Sequence, residues 1–151
     1  CICKKFFVLY RMDSNQAGRA GEFYIAYVLE KNGIECHHVD LQGTDLWCQL
    51  ENGKMFTVQV KSATTPFRRK DSRNKGGLSR WVYGFCLATT KKADFTIYLA
   101  LDQERFVVET AEQVGKRKSK QITPRAFTTA KQAEGIELLK GFFQNDGNEA
   151  K

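Results

Sequence analysis

The dipeptide Asn52-Gly53, set between two stretches of alternating apolar and polar residues, constrains the fold of this chain more than any other feature. Asn-Gly is the strongest short indicator of a β-hairpin, because both residue types tolerate the backbone angles of a tight reversal. Residues 44–50 and 54–61 each carry an apolar side chain at every second position, as a strand with one buried face does. The sequence therefore predicts two antiparallel strands joined near residues 52–53.

A helix and another strand precede this hairpin. Residues 14–33 repeat aliphatic and aromatic side chains at steps of three and four, which indicates a helix. Ser14 or Asn15 can cap its start, and Gly33 can end it. The stretch 34–40 is typical of a strand, so we predict three successive strands in an antiparallel meander.

The second half of the chain predicts more strands and a helical end. Residues 80–88 alternate like a strand but also fit a short helix, and the sequence leaves both interpretations open. Residues 94–109 predict a second hairpin with its turn at 102–104. Thr123-Pro124 suits a helix start, and residues 123–144 are predicted to form one or two helices.

Length and element order together predict a single α/β (α+β) domain. A chain of 151 residues is long enough to bury a core without metals or disulfides. The order of helix, three strands, basic connection, strands and helix predicts a central mixed β-sheet flanked by helices. We expect the core over about residues 14–110 and the helical region over about residues 123–144.

The basic residues are unevenly distributed along the chain. The formal net charge is +7, with one basic run between residues 61 and 80 and a second between residues 116 and 120. Such runs favour a polyanionic partner such as nucleic acid, because each phosphate contact releases counterions. The alternative interpretation is two solvated basic loops.

Cysteines and the N-terminal stretch bear on the cellular setting. The five cysteines form no Cys-x-x-Cys pair, and their odd number favours a reducing, intracellular setting. A zinc site at residues 36–40, CHHVD, is disfavoured because adjacent histidines on a strand point to opposite faces. The N-terminal apolar stretch is too short for a secretory leader or a membrane span, so we expect no membrane association. Because the sequence does not begin with Met, we expect a fragment, and residues 1–13 are left out of the argument for catalysis.

Four polar residues from three elements are predicted to meet. Gln59 and Lys61 leave the same face of one strand, and Asp45 lies on the partner strand within one or two rungs. Glu22 lies on the buried side of the predicted helix, where Gly18 and Gly21 would allow a close approach to the sheet. A buried carboxylate needs a compensating charge, which Mg²⁺ shared with Asp45 or the Lys61 ammonium would supply.

These segments resemble the PD-(D/E)XK nuclease superfamily of restriction enzymes, Holliday-junction resolvases and some homing endonucleases. The matching segments are GEFYIAYVL with Glu22, GTDLW with Asp45, TVQVKSA with Gln59 and Lys61, and ADFTIYLAL. Gln59 departs from the commoner Asp or Glu, although similar Gln-x-Lys forms occur in some intron-encoded homing endonucleases. The resemblance implies a restriction-endonuclease-like core and a cytoplasmic protein of prokaryotic or phage type.

The resemblance also implies Mg²⁺-dependent hydrolysis of DNA phosphodiester bonds, with Mn²⁺ as a substitute ion. Asp45, Gln59 and the carbonyl of Val60 would hold the metal, and Glu22 would hold it through water or help to place a second ion. Lys61 would orient the attacking water or stabilise the transition state. Because an amide brings no charge, Gln59 should lower metal affinity unless Glu22 compensates. The basic residues expected to contact DNA are Arg68, Arg69, Lys70, Arg73, Lys75, Arg80, Lys116, Arg117 and Lys118.

Three hypotheses follow for the function. The first is a homing, restriction-type or junction-resolving endonuclease that forms a homodimer or higher symmetric oligomer, because cutting both strands needs two active sites. The second is an inactive nucleic-acid-binding module of the same fold, with catalysis lost through Gln59. The third and weakest is an interaction subunit that docks through residues 6–10, FFVLY. The sequence leaves the DNA target open, as well as the choice between DNA and RNA.

Overall fold

The computed structural model describes residues 12–69, 80–87 and 93–141, which contain eight strands, three α-helices and one 3₁₀ turn. The helices are α1 (Ser14–Lys31), α2 (Ala111–Val114) and α3 (Thr129–Gly141), and the 3₁₀ turn covers Pro124–Ala126. The strands are β1 (Glu35–Leu41), β2 (Thr44–Gln49), β3 (Met55–Ala63), β4 (Phe67–Arg69), β5 (Arg80–Cys86), β6 (Phe95–Ala100), β7 (Arg105–Thr110) and β8 (Ser119–Ile122).

A five-stranded mixed sheet forms the centre of the structure, in the order β1-β2-β3-β6-β7. β1, β2 and β3 form the predicted antiparallel meander, and β6 and β7 form the predicted second hairpin. β3 and β6 run parallel, because the chain between them crosses over one face of the sheet as β4 and β5. The predicted fold class, a mixed sheet flanked by helices, is confirmed.

The turn between β2 and β3 explains why glycine stands at its last position. The Leu50 carbonyl accepts a hydrogen bond from the Gly53 N–H, and the Leu50 N–H donates to the Lys54 carbonyl, both at 2.9 Å. Gly53 has a φ of +81°, the left-handed conformation that closes a three-residue hairpin loop. The predicted hairpin is present, with residues 51–53 as its loop.

One face of the sheet is covered by two helices. α1 and α3 bury apolar residues such as Ile25, Leu29 and Leu139 against Val58 and Ile97, and all five side chains are fully excluded from solvent. The three- and four-residue spacing of the apolar positions in α1 places them on one side of the helix. This core therefore fixes α1 against the strands that carry the predicted site.

The opposite face of the sheet has its own core. Tyr83 and Phe85 of β5, together with Phe127, pack against Tyr98 of β6. β6 is consequently buried at all six positions, as expected for a strand covered on both faces. A smaller sheet in the order β4-β5-β8 provides much of this cover.

Several local predictions needed correction or completion. α1 is capped by Asp13 rather than Ser14 or Asn15; its carboxylate accepts from the Gln16 N–H at 2.8 Å, and Gln16 returns the bond to complete a capping box. Residues 80–86 form a strand, which settles the open choice there. The helical C-terminal region begins with the 3₁₀ turn and continues as α3, and residues 142–144 of the predicted range lie outside the described residues.

Three elements came without a prediction, the short helix α2 among them, and some predicted strand boundaries moved slightly. The short strands β4 and β8 lie in stretches that the sequence indicated only as basic connections. β1 extends to Leu41, with an irregularity in its pairing between His38 and Leu41. Within the described ranges, no helix is long and apolar enough to cross a membrane.

Cys36 and Cys48 face each other across β1 and β2 as free thiols, with their sulfur atoms 3.4 Å apart. The hydrogen bond with Cys36, together with burial, raises the pKa of the Cys48 thiol. Cys48 therefore stays protonated and unreactive at neutral pH.

A half-buried ion cluster joins β7 to β8. The Glu109 carboxylate accepts hydrogen bonds from Lys120 Nζ at 2.6 Å, Arg117 Nη2 at 2.9 Å and the Tyr98 hydroxyl at 3.0 Å. Its side chain is only 14% exposed. Burial alone would raise the pKa of Glu109, but the bonds from Lys120 and Tyr98 and the charges of Lys120 and Arg117 bring it below its usual value.

Replacing Glu109 by glutamine is therefore expected to lower the free energy of unfolding near neutral pH by on the order of 1–3 kcal/mol. A carboxylate with a lowered pKa stabilises the folded state above its unfolded pKa, and this contribution is lost as the pH falls through its folded pKa. The difference between wild type and Glu109→Gln should therefore shrink below about pH 4. Urea unfolding of wild type and Glu109→Gln, from neutral pH to below about pH 4, measures this difference.

Glu134→Gln provides the matched control. Glu134 pairs with Lys131 at 2.7 Å, but both side chains are more than half exposed. Loss of this exposed ion pair should change the free energy of unfolding by no more than about 0.5 kcal/mol. Equal effects of the two substitutions would show that the Glu109 cluster does not stabilise the fold.

Candidate active site

Asp45 lies where β2 and β3 stop pairing. The last paired residues are Leu46 and Val58, and beyond them Asp45 Oδ2 accepts a hydrogen bond of 2.7 Å from the Val60 backbone N–H. The carboxylate thus takes the place of the backbone acceptor that a continuing strand would supply. Because the N–H and C=O of one strand residue point towards the same neighbouring strand, the Val60 carbonyl also faces Asp45.

Gln59 and Lys61 lie on the face of β3 opposite Val58 and Val60, as their alternation predicts. Gln59 is 6% exposed and Lys61 is half-buried. Within the described part of the chain, the Gln59 amide has no hydrogen-bond partner and Lys61 forms no ion pair. Both groups are therefore available to a ligand at the end of β3.

Glu22 and Asp45 lie close enough for their charges to interact. Burial and then the charge of Asp45 raise the pKa of Glu22. Burial also raises the pKa of Asp45, and the hydrogen bond from Val60 and the positive charge of Lys61 only partly offset this. Asp45 thus interacts with the charge of Glu22 from α1 and with that of Lys61 from β3.

His38 is a member of this cluster that the sequence reasoning missed. Its Nδ1 atom lies 4.0 Å from Glu22 Oε2, and its ring packs on Phe23 with centroids 4.7 Å apart. A positive charge on His38 lowers the pKa of both Glu22 and Asp45. The hairpin register could have revealed it, since His38 pairs with Leu46, the residue after Asp45.

The two adjacent histidines have different neighbours. His37 Nε2 contacts Glu35 Oε1 at 2.9 Å, whereas His38 lies beside Glu22. Both His37 and Glu35 are more than half exposed. The sequence motif CHHVD thus contributes a single histidine to the candidate site.

Gly21 lets α1 approach the strand that carries the site. A Cβ atom at this position would collide with the Ser62 hydroxyl and lie 3.0 Å from Ser62 Cβ. The Ser62 hydroxyl is buried and has no hydrogen-bond partner among the described residues. Glu22 follows Gly21 directly, so this close approach sets the position of the Glu22 carboxylate.

The two glycines of α1 give a matched pair of substitutions. Gly21→Ala is expected to lower the free energy of unfolding by about 1–3 kcal/mol, because α1 must move away from β3. A methyl group added at Gly18 would meet no neighbouring atom within 4 Å, so Gly18→Ala should raise the free energy of unfolding by about 0.5–1 kcal/mol through better helix propensity. Thermal and urea unfolding measure the change in the free energy of unfolding for both variants. A change of the same sign in both would contradict the close contact between Gly21 and Ser62.

The oxygen donors at the site fit a hard divalent cation. Glu22 and Asp45 bring carboxylates, Gln59 an amide oxygen and Val60 a backbone carbonyl, which are the ligand types that Mg²⁺ takes. Burial and then the charge of Asp45 raise the pKa of Glu22, and a cation bound by both carboxylates would relieve their repulsion. Among the described residues, no group of three or more His, Cys, Asp and Glu side chains forms a metal cluster, so amide and backbone oxygens are needed to complete the set.

The predicted DNA-contacting residues fall into three groups. Arg68 and Arg69 of β4 and Arg80 of β5 are exposed. Lys116 and Lys118 are also exposed, whereas Arg117 bonds Glu109 and the carbonyls of Val114 and Gln113. Three further residues lie outside the described ranges: Lys70, Arg73 and Lys75.

Comparisons with known proteins bear on the fold. No protein-family model matches the sequence, and a search of curated proteins gives no match. Among solved structures, a bacterial homing endonuclease, I-Ssp6803I, superposes with a TM-score of 0.62 at 19% identity, over 90% of this chain and 99% of that one. The chain shares the fold of that endonuclease. The shared fold extends over nearly the whole of both chains.

Proposed function

We propose that this chain is a metal-dependent DNA endonuclease with a Gln-x-Lys variant of the PD-(D/E)XK site. The observation that carries the proposal is the Asp45 carboxylate, bound to the Val60 N–H between Gln59 and Lys61 and electrostatically coupled to Glu22. The shared fold with a bacterial homing endonuclease supports it. The exposed arginines of β4 and β5 provide positive charge for a phosphate backbone.

Each site residue has a distinct role in the proposed reaction. Asp45, Gln59 and the Val60 carbonyl would hold Mg²⁺ or Mn²⁺, with Glu22 as a further or water-mediated ligand. The ion, when bound, polarises the scissile phosphate and lowers the pKa of a coordinated water. Lys61 places a positive charge beside Asp45, where it stabilises negative charge that develops on the phosphate or holds the attacking water.

The proposal includes a symmetric oligomer. A single chain offers one such site, and cutting both strands of a duplex needs two sites with opposite orientations. We therefore propose a homodimer or a higher symmetric oligomer on DNA. Analytical ultracentrifugation with and without duplex DNA measures the assembly, and a monomer in both conditions would refute this part.

Cleavage assays test the proposed activity directly. Purified protein is incubated with supercoiled plasmid and with branched DNA, in Mg²⁺, in Mn²⁺ and in EDTA. We expect nicked or linear product with either metal and none in EDTA. Product formation that is equal in EDTA would refute metal dependence, and product from branched DNA alone would identify a junction-resolving enzyme.

A second candidate is a nucleic-acid-binding module without catalysis. The observation that favours it is Gln59 itself, because its amide brings no negative charge to a metal site. This hypothesis expects salt-dependent DNA binding without cleavage under any metal condition, unchanged by Asp45→Asn. Cleavage by wild type that Asp45→Asn abolishes would exclude it.

A further inference from the structure

A two-stranded ribbon extends from the smaller sheet. β4 pairs with the first three residues of β5, in the register Phe67 with Val82, Arg68 with Trp81 and Arg69 with Arg80. β8 pairs only with the later part of β5, from Tyr83 to Cys86. Over residues 67–69 and 80–82, the described structure is therefore a ribbon of two antiparallel strands.

One arginine of this ribbon is held by an aromatic ring. The Arg68 guanidinium lies over the Trp81 ring, 5.1 Å from its centroid, and the two residues are directly opposite each other in the register. Trp81 is 50% exposed although it is an apolar residue, so its outer side is open to a ligand. Stacking on an indole restrains the planar guanidinium but leaves its N–H groups free to donate.

The other two arginines have different surroundings. Arg69 Nη1 donates to Gln121 Oε1 of β8 at 2.7 Å, which ties its guanidinium back onto the smaller sheet. Arg80 is exposed. Among the described residues, none of the three arginines forms an ion pair with an acidic side chain. Their positive charges are consequently uncompensated within this part of the chain.

The ribbon also lies close in sequence to the candidate active site. Only residues 64–66 separate β3, which carries Gln59 and Lys61, from β4. Contacts between β3 and β5 keep the two sheets together. The ribbon is therefore joined, through the chain and through packing, to the strand that carries Gln59 and Lys61.

We infer that this ribbon enters the major groove of a DNA duplex, with Arg68 as a base-reading residue positioned by Trp81 and Arg80 as a phosphate contact. The inference rests on the proposed endonuclease function and adds a determinant of its specificity. The major groove has the width of a two-stranded β-ribbon, and a planar guanidinium matches the O6 and N7 acceptors of guanine. Three uncompensated arginines complement a polyanion, and they would repel a basic protein such as a second copy of this chain.

Selection from a pool of randomised DNA duplexes tests the inference. Binding is performed in EDTA, so that cleavage does not remove bound duplexes, and the selected sequences are compared between variants. Wild type should prefer guanine at one position at least. In Arg68→Lys and Trp81→Ala this preference should fall by roughly 10- to 100-fold, while Trp81→Phe keeps part of it. Unchanged thermal unfolding of each variant shows that its fold is intact.

Two arginine substitutions serve as comparisons. Arg80→Ala should weaken binding to all duplexes alike and reduce the slope of log affinity against log salt by about 1. Arg125→Ala removes an exposed arginine of the 3₁₀ turn, which is not part of the ribbon, and should leave both the base preference and the salt slope unchanged.

The outcomes separate this inference from the proposed activity. A wild-type base profile in Arg68→Lys and Trp81→Ala would overturn the base-reading role, even if the protein cuts DNA. A larger loss of single-stranded than of duplex binding in Trp81→Ala would overturn groove entry and indicate base stacking instead. Conversely, the protein could cut no DNA and still show a base preference that depends on Arg68. That result would refute the proposed endonuclease activity and support the role of the ribbon in reading bases.

Discussion

Replacing Lys61 by alanine is expected to reduce DNA cleavage by roughly 10²- to 10³-fold while leaving duplex binding and the free energy of unfolding nearly unchanged. Lys61 is half-buried at the end of β3, and its charge acts on Asp45. A fixed ammonium at this position stabilises charge that develops only in the transition state, so its loss affects the rate more than the affinity. Single-turnover cleavage and binding in EDTA measure the two effects separately.

Two controls sharpen this prediction. Lys61→Met keeps an apolar stem of similar length and should lose as much activity as Lys61→Ala, because the charge and not the packing is required. Lys140→Ala removes an exposed lysine near the end of α3 and should cleave like wild type. Wild-type cleavage by Lys61→Ala would refute the proposed mechanism.

Asp45→Asn is expected to reduce metal-dependent cleavage by roughly 10³-fold or more. The same substitution should leave the metal-free protein as stable as wild type or more stable. The asparagine carbonyl oxygen can still accept the hydrogen bond from the Val60 N–H. Burial raises the pKa of Glu22, and the charge of Asp45 raises it further; the substitution removes that charge. A residue that costs stability in the free protein but is needed for activity is typical of a catalytic site.

The pH dependence of stability follows from the direction of the two pKa shifts. A carboxyl whose folded pKa is raised gives its full stabilisation below the unfolded pKa, and this is lost as the pH rises through the folded pKa. The ordinary values are 3.8 for Asp45 and 4.5 for Glu22, and both are raised. The metal-free wild type should therefore lose stability as the pH rises from about 4 towards neutrality. Asp45→Asn should show a smaller loss.

Mg²⁺ should offset this loss of stability towards neutral pH. Binding to the deprotonated carboxylates stabilises the folded state, by about 2.7 kcal/mol at a concentration one-hundredfold above the dissociation constant. The midpoint of thermal unfolding of wild type should rise with Mg²⁺, and that of Asp45→Asn should not. Glu51→Gln, which removes an exposed carboxylate of the β2–β3 loop, is the control and should retain the Mg²⁺ effect. An equal rise in wild type and Asp45→Asn would place the ion elsewhere.

Local patterns accounted for the parts of the fold that short-range physics controls. The alternation around Asn52-Gly53 was sufficient for the β2–β3 hairpin, because side-chain period and turn chemistry act within a few residues. The same holds for α1, whose apolar residues recur at helical spacing. The shared face of Gln59 and Lys61 follows from alternation alone, whatever packs against it.

Other elements depend on partners that are distant in sequence. β4 and β8 are three and four residues long and largely polar, so only their pairing with β5 makes them strands. Arg117 belongs to a basic run, yet its guanidinium bonds the Glu109 carboxylate from another strand. Basic composition predicts a positive surface, but it does not show which charges are already compensated.

The sequence by itself determined which residue types the candidate site contains and which strands carry them, since helix period, strand alternation and turn residues are all local properties. Only the tertiary structure decided that Asp45 bonds the Val60 N–H, that His38 lies beside Glu22, and that Gly21 brings α1 against Ser62. These contacts depend on where β2 leaves β3 and on how closely a helix packs on a sheet. Such distances are set by the whole core, and no short segment encodes them.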